Sequence, residues 1–250
     1  MTYQLLGLES IMITVASVFM IITIREKPKF PPSKIAFQKV HRDSMWNTFK
    51  ILIKMKNYML LVVVFTILFA TYIALATVID PLLSPFGFEP GVIASLGGCF
   101  IVAGVISTLA FGIILDKTKR YLLTLRVITA CSLLGSILAY YLLPLDSTSL
   151  TYLIITLFGV FLVPIMAVGF AFATELTHPI QPVLSNGIML CFSNLAAWML
   201  SFLLLYVLKT TPGDPQQGSK RAILIIAFLC LIAVIATIFT EEELRRFNAV

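Results

Sequence analysis

Seven apolar blocks, each about long enough to cross a bilayer, fill most of this 250-residue chain and settle its solvent before any motif is read. They lie at about 4–24, 58–79, 92–115, 122–142, 149–172, 184–207 and 221–240, here spans I to VII. A hydrocarbon core about 30 Å thick is crossed by roughly 20 helical residues at about 1.5 Å rise each. Hydrophobic residues make up 59% of the chain and charged residues 12%, against about 25% charged in soluble domains. Mean hydropathy is +1.00. A water-soluble fold cannot hide that much apolar surface. The blocks are continuous rather than alternating, so they read as helices that satisfy their own backbone and not as barrel strands. The expected fold class is all-α, a polytopic membrane protein with about seven transmembrane helices.

Charge orients the spans. Segment 25–57 carries nine Lys and Arg, among them Arg25, Lys27, Lys50, Lys54 and Lys56. The loop after span III adds Lys117, Lys119, Arg120 and Arg126, and the C-terminus adds Arg245 and Arg246. All fall on one side, leaving Lys209, Lys220 and Arg221 on the other. The positive-inside rule places the basic side in the cytoplasm, with the N-terminus outside and the C-terminus inside. The net charge of +6 is thereby a topology signal, and no nucleic-acid partner is expected: no basic face with interleaved aromatics stands apart from it. Span I lacks the basic leader and small-residue cleavage site of a signal peptide.

The chemistry of an enzyme is not visible. There is no nucleotide loop, no Ser/His/Asp arrangement and no catalytic carboxylate pair, so no enzyme activity and no cofactor are expected. Cys99, Cys131, Cys191 and Cys230 show no metal-ligand spacing and read as small apolar packing residues.

The organisation expected is a helix (1–24), a basic linker (25–57), six spans (58–240) and a tail (241–250). Pro28, Pro31 and Pro32 make the start of the linker extended. Further on, Ser44 offers a cap, and Met45, Phe49 and Leu52 with Trp46 and Ile53 recur at helical spacing among lysines. This predicts a basic amphipathic segment on the membrane surface leading into span II. In span III, Gly97, Gly104, Thr108 and Gly112 form a small-residue stripe that lets a neighbouring helix approach closely. At its end, Asp116 stands beside Lys117, Lys119 and Arg120, a carboxylate able to pair with a cation or a helix N-terminus across a turn. Pro164 should kink span V. Glu175, like Glu9 and Asp80, lies near a span end, where a gate contact and a plain interfacial position are both open. The polar residues within spans are few: Thr66, Thr71 and Tyr72 in span II, Ser193 and Asn194 in span VI, with Trp198 one turn on. They are candidates to line a cavity, or else to bond neighbouring helices.

The stretch Gly112 to Arg120 resembles the loop motif of the major facilitator superfamily, a glycine, three residues, an aspartate and then basic residues, without the usual second glycine. More specific stretches resemble one branch, the feline leukaemia virus subgroup C receptor-related transporters. They are Arg25 to Ser33, Leu115 to Tyr121, Phe172 to Pro179 with Ser185-Asn186-Gly187, and Glu242 to Asn248, in order along nearly the whole chain. The resemblance implies that span I is helix six and spans II–VII are helices seven to twelve. That is the C-terminal half of a twelve-helix fold plus one helix, with helices one to five outside it. In that fold the solute lies near the midplane between two halves that rock. One wall would be missing here, so a missing N-terminal half or a second chain is an expected partner, with the bilayer and a small-molecule solute.

The family is linked to choline and related amines and connected with haem. The resemblance implies substrate contacts at Tyr72 and Asn194, an aromatic face being suited to a quaternary amine, and their polar neighbours Thr71 and Ser193 are further candidates. It implies a gate made of Gly112, Asp116, Lys117, Lys119 and Arg120, with Glu175 as a second contact. The chain departs from the family at three places: Tyr72 lies one residue from the expected tyrosine, Asn194 stands for a glutamine and Pro182 for an acid. One alternative is a non-transporting half that assembles with another chain, and the rival class is a seven-helix receptor. It fits span number and orientation, but not the first cytoplasmic loop of about 33 residues. Span VII also lacks an Asn-Pro-x-x-Tyr pattern, and loop 143–148 has no cysteine to tie to Cys99.

Overall fold

A computed structural model describes residues 2–23, 45–145, 147–210 and 215–241. The proline stretch 28–32, the Ser44 cap, most of the linker cations and the C-terminal Arg245 and Arg246 lie outside them. Among the described residues every regular element is a helix: α1 (Thr2–Thr23), α2 (Met45–Lys54), α3 (Lys56–Leu83), α4 (Pro90–Thr118), α5 (Tyr121–Leu142), α6 (Thr148–Leu162), α7 (Ile165–Leu176), α8 (Pro182–Thr210) and α9 (Pro215–Ile238), with short 3-10 turns at Ser84–Phe86 and Leu143–Leu145. Six helical segments are long and apolar enough to cross a membrane, corresponding to spans II–VII. Span I is the apolar helix α1, part of a separate compact unit, residues 1–44.

Local sequence sets the helix boundaries. Pro90 occupies the first turn of α4, where its missing N–H costs nothing. Lys119 ends that helix in the left-handed region at φ 55°, its N–H bonding the Leu115 carbonyl. Pro164 divides span V into α6 and α7, as its lack of a backbone donor requires. Pro81, by contrast, is carried within α3, which runs on to Leu83.

Within the unit 45–250, α3 is the axis, packed by α8, α9 and α7, while α4 lies along α6 and α5 along α9. Two bonds fix the register of α3 on α8. The Tyr58 hydroxyl donates to the Ser185 carbonyl at 2.7 Å, and the Thr66 and Ser193 hydroxyls meet at 3.1 Å. Both pairs are 127 residues apart, so the helices are parallel and in step. The α4–α6 crossing is set by glycines. A Cβ on Gly159 would lie 2.2 Å from the Phe100 carbonyl oxygen, and one on Gly104 would lie 2.4 Å from a Val163 methyl. The stripe predicted in span III is therefore used in part. Gly104 meets α6, while Gly97 and Gly112 have nothing within 4 Å.

The least covered spans are α4 and α8, with 22% and 28% of their most apolar stretch buried, against 56% for α3. Each shows a long run of exposed apolar residues, such as Val105, Ile106 and Leu109 on α4 and Leu195, Met199 and Phe202 on α8.

Candidate functional site

A path of touching rings crosses the middle of the helical unit. Phe170 of α7 stacks on Phe65 of α3 at 5.3 Å, and Phe65 on Phe69 at 5.7 Å. Phe69 meets the edge of Tyr72 at 6.2 Å, and Tyr72 stacks on Phe100 of α4 at 5.8 Å. Phe65, Phe69 and Phe100 are buried, whereas Tyr72 is half-buried. Its hydroxyl has no hydrogen-bond partner among the described residues. Ring faces carry negative quadrupole density and attract a desolvated cation, so this cluster suits the head of an organic amine. The spacing of Phe65, Phe69 and Tyr72, four and three residues apart, marks one face of α3 and was available in the sequence. Phe100 and Phe170 join only through the tertiary packing.

The other predicted contact residues sit differently. Thr71 is fully buried and donates to the Ile67 carbonyl of its own helix at 2.8 Å. Ser193 is also buried, and its single proton goes to the Met189 carbonyl at 2.7 Å. Thr66 is therefore the donor in the Thr66–Ser193 pair, which ties α3 to α8. Asn194 is exposed on α8 and donates one amide hydrogen to Leu190 at 2.8 Å. The register places Asn194 level with Ile67 and Met199 level with Tyr72, so Asn194 and Tyr72 lie about 7.5 Å apart along the axis. Trp198, exposed and stacked on Phe202, is level with Thr71. A cleft of about 650 Å³ opens between α3, α8 and α9, but Thr66 is its only hydroxyl-bearing wall residue, and neither Tyr72 nor Asn194 borders it.

One end of the unit gathers charge. The contacts of Phe100 with Gly159 and of Gly104 with Val163 run at the same sequence offset. Asp116 lies in the last turn of α4 and Glu175 in the last turn of α7. Asp116 is 88% exposed and lies 3.9 Å from the Lys119 ammonium, a pair closed within its own turn. Lys117 and Arg120 are exposed beside it, and Gly112 faces open space. Glu175 is 9% exposed, and one of its carboxylate oxygens is buried without a partner among the described residues. The Asn186 side-chain oxygen is in the same condition. A buried acceptor left unmet is costly, and these are the two such side-chain atoms found among the described residues. The Arg126 guanidinium, on α5, donates to the Thr237 and Thr240 carbonyls at 3.2 and 3.4 Å, holding the end of α9.

No protein-family model matches the chain. Curated relatives do. The choline/ethanolamine transporter FLVCR2 of Homo sapiens is 24% identical over 241 residues, covering 94% of this chain and 45% of the relative. The choline/ethanolamine transporter FLVCR1 of Mus musculus is 26% identical over 245 residues, covering 91% and 41%. An uncharacterized MFS-type transporter of Caenorhabditis elegans is 25% identical over 228 residues, covering 89% and 38%. The chain thus spans less than half the length of these relatives. Helices of membrane length, an all-α interior and this similarity together describe an integral, multi-pass membrane protein that resembles the MFS-type transporters named for choline and ethanolamine.

Proposed function

We propose that the chain forms one half of an alternating-access transporter and carries part of the site for a small organic amine of the choline or ethanolamine kind. The observation that carries this reading is the half-buried Tyr72, backed by Phe100 and Phe69 and free at its hydroxyl. A quaternary or primary ammonium against such rings gains about 2 kcal/mol or more once water is excluded. The relatives' names support the substrate class, and their being transporters speaks against the seven-helix receptor.

We assign the weakly covered α4, which carries Phe100, and α8 to contact with a second half, supplied by further chain or by a partner. We assign Asp116 with Lys117, Lys119 and Arg120, and Glu175 in the last turn of α7, to the gate at the basic end. That end holds Lys50, Lys54, Lys56, Lys117, Lys119, Arg120 and Arg126 among the described residues, against Lys209, Lys220 and Arg221 at the other. The asymmetry supports a cytoplasmic basic end.

Uptake of labelled choline in cells expressing the chain, alone and with the N-terminal half of a relative, tests the proposal. Uptake is expected with the second half, lost in Tyr72→Ala and largely retained in Tyr72→Phe. Uptake indifferent to Tyr72→Ala removes the amine from this site, and no uptake of choline or ethanolamine in either setting overturns the transport reading. Asp116→Asn should lower turnover while leaving membrane insertion intact; unchanged turnover removes the gate role.

A further inference from the structure

The short helix α2 is built unlike any span. Leu52 is fully buried and Thr48 nearly so, and both face α3 and α8, to which α2 is packed. The opposite side holds Trp46, Phe49, Lys50, Ile53 and Lys54 in one continuous arc, as positions one, four, five, eight and nine of a helical wheel must be. Trp46 is 63% exposed and Ile53 45%. Phe49 stacks on Trp46 at 5.7 Å, and the Lys50 ammonium lies over the indole at 5.6 Å. The helix carries no acid. One residue, Met55, separates it from α3, which starts at Lys56 and is long and apolar enough to cross a membrane.

Water is a poor solvent for an exposed indole beside isoleucine and phenylalanine, and hydrocarbon is a poor one for the lysines among them. The layer that suits both is the headgroup region, where indole rings settle and cations meet phosphates. Zwitterionic headgroups would satisfy the rings alone. Two ammonium groups in the arc and a third at Lys56, with no carboxylate on α2 to neutralise them, call for net negative charge. We propose that the outer face of α2 is a binding surface for anionic phospholipid headgroups, with Trp46 and Ile53 seated at the acyl boundary and Lys50 and Lys54 on the phosphates. Helix α2 then fixes the depth at which α3 enters the bilayer. The surface stands whether or not the chain moves a solute.

The chain has two tryptophans, so the variant Trp198→Phe leaves Trp46 as the sole reporter. The full chain carrying it is reconstituted in mixed vesicles of phosphatidylcholine and phosphatidylserine, with bromine on the acyl chains of one lipid or the other. Brominated phosphatidylserine should quench Trp46 severalfold more than brominated phosphatidylcholine at equal mole fraction. The preference should shrink in high salt, fall severalfold in Lys50→Gln with Lys54→Gln, and persist in the paired Lys→Arg variant, which controls for folding. Equal quenching by the two lipids overturns the headgroup selectivity. Emission untouched by either lipid overturns the membrane contact, as does emission that responds to soluble inorganic phosphate instead.

Discussion

Replacing Gly159 with Ala tests the packing that holds the aromatic cluster in place. The new methyl would sit 2.2 Å from the Phe100 carbonyl oxygen and 3.0 Å from its carbon, where ordinary contact begins near 3.4 Å. The obstructing atom is helical backbone and cannot rotate away, so α4 and α6 must part by roughly an ångström in a close-packed interior. Overpacking of this kind costs about 1–3 kcal/mol, and alanine's better helix propensity returns about 1 kcal/mol at most. A net loss of about 1 kcal/mol corresponds to a fall in Tm of about 2–4 °C for a chain of this size. Thermal unfolding of the detergent-solubilised chain measures it, with Gly97→Ala as the comparison, since nothing lies within 4 Å of that site. Gly97→Ala should melt at or slightly above the parent. Because Phe100 carries the stack on Tyr72, Gly159→Ala should also weaken amine binding, while Gly97→Ala should not. Melting of the two variants within about 1 °C of each other would refute the assigned crossing.

Three further outcomes follow from the contacts described. Removing the Thr66–Ser193 bond singly and together, as Thr66→Val and Ser193→Ala, should give a coupling of about 0.6 kcal/mol in a double-mutant unfolding cycle; no coupling would mean the hydroxyls do not meet. Lys119→Gly should raise Tm, because glycine adopts φ 55° without the cost of roughly 1–2 kcal/mol borne by lysine, whereas Lys119→Ala should not. Arg126→Gln should free the end of α9, speeding amide exchange at residues 238–241 roughly tenfold; unchanged exchange there would show that the guanidinium holds nothing.

Span positions were readable because the bilayer imposes length and apolarity residue by residue, and Pro164 announced its own break. The sides of the spans were not readable. A helix that is apolar all round gives no clue to which face another helix covers, so Gly97, Gly104 and Gly112 looked alike until Val163 proved to lie against Gly104 alone of the three. Thr71 and Tyr72 are neighbours in sequence and point to different surroundings, one sealed within the packing and one at the edge of a ring cluster. Helix α2 is the exception. Lysines alternate with apolar residues along it, so its amphipathic character was visible in the residues themselves.

The sequence by itself determined the solvent, the number of membrane-length helices in the described unit and the charge asymmetry of its ends, since each depends on summed local composition. Tertiary structure alone decided that Phe100 stacks on Tyr72, that Phe170 stacks on Phe65, and that Ser193 meets Thr66. Those facts rest on the register between helices far apart in the chain. That register is set by a few close contacts, at Gly159, Gly104 and the Tyr58–Ser185 bond, whose partners no local pattern names.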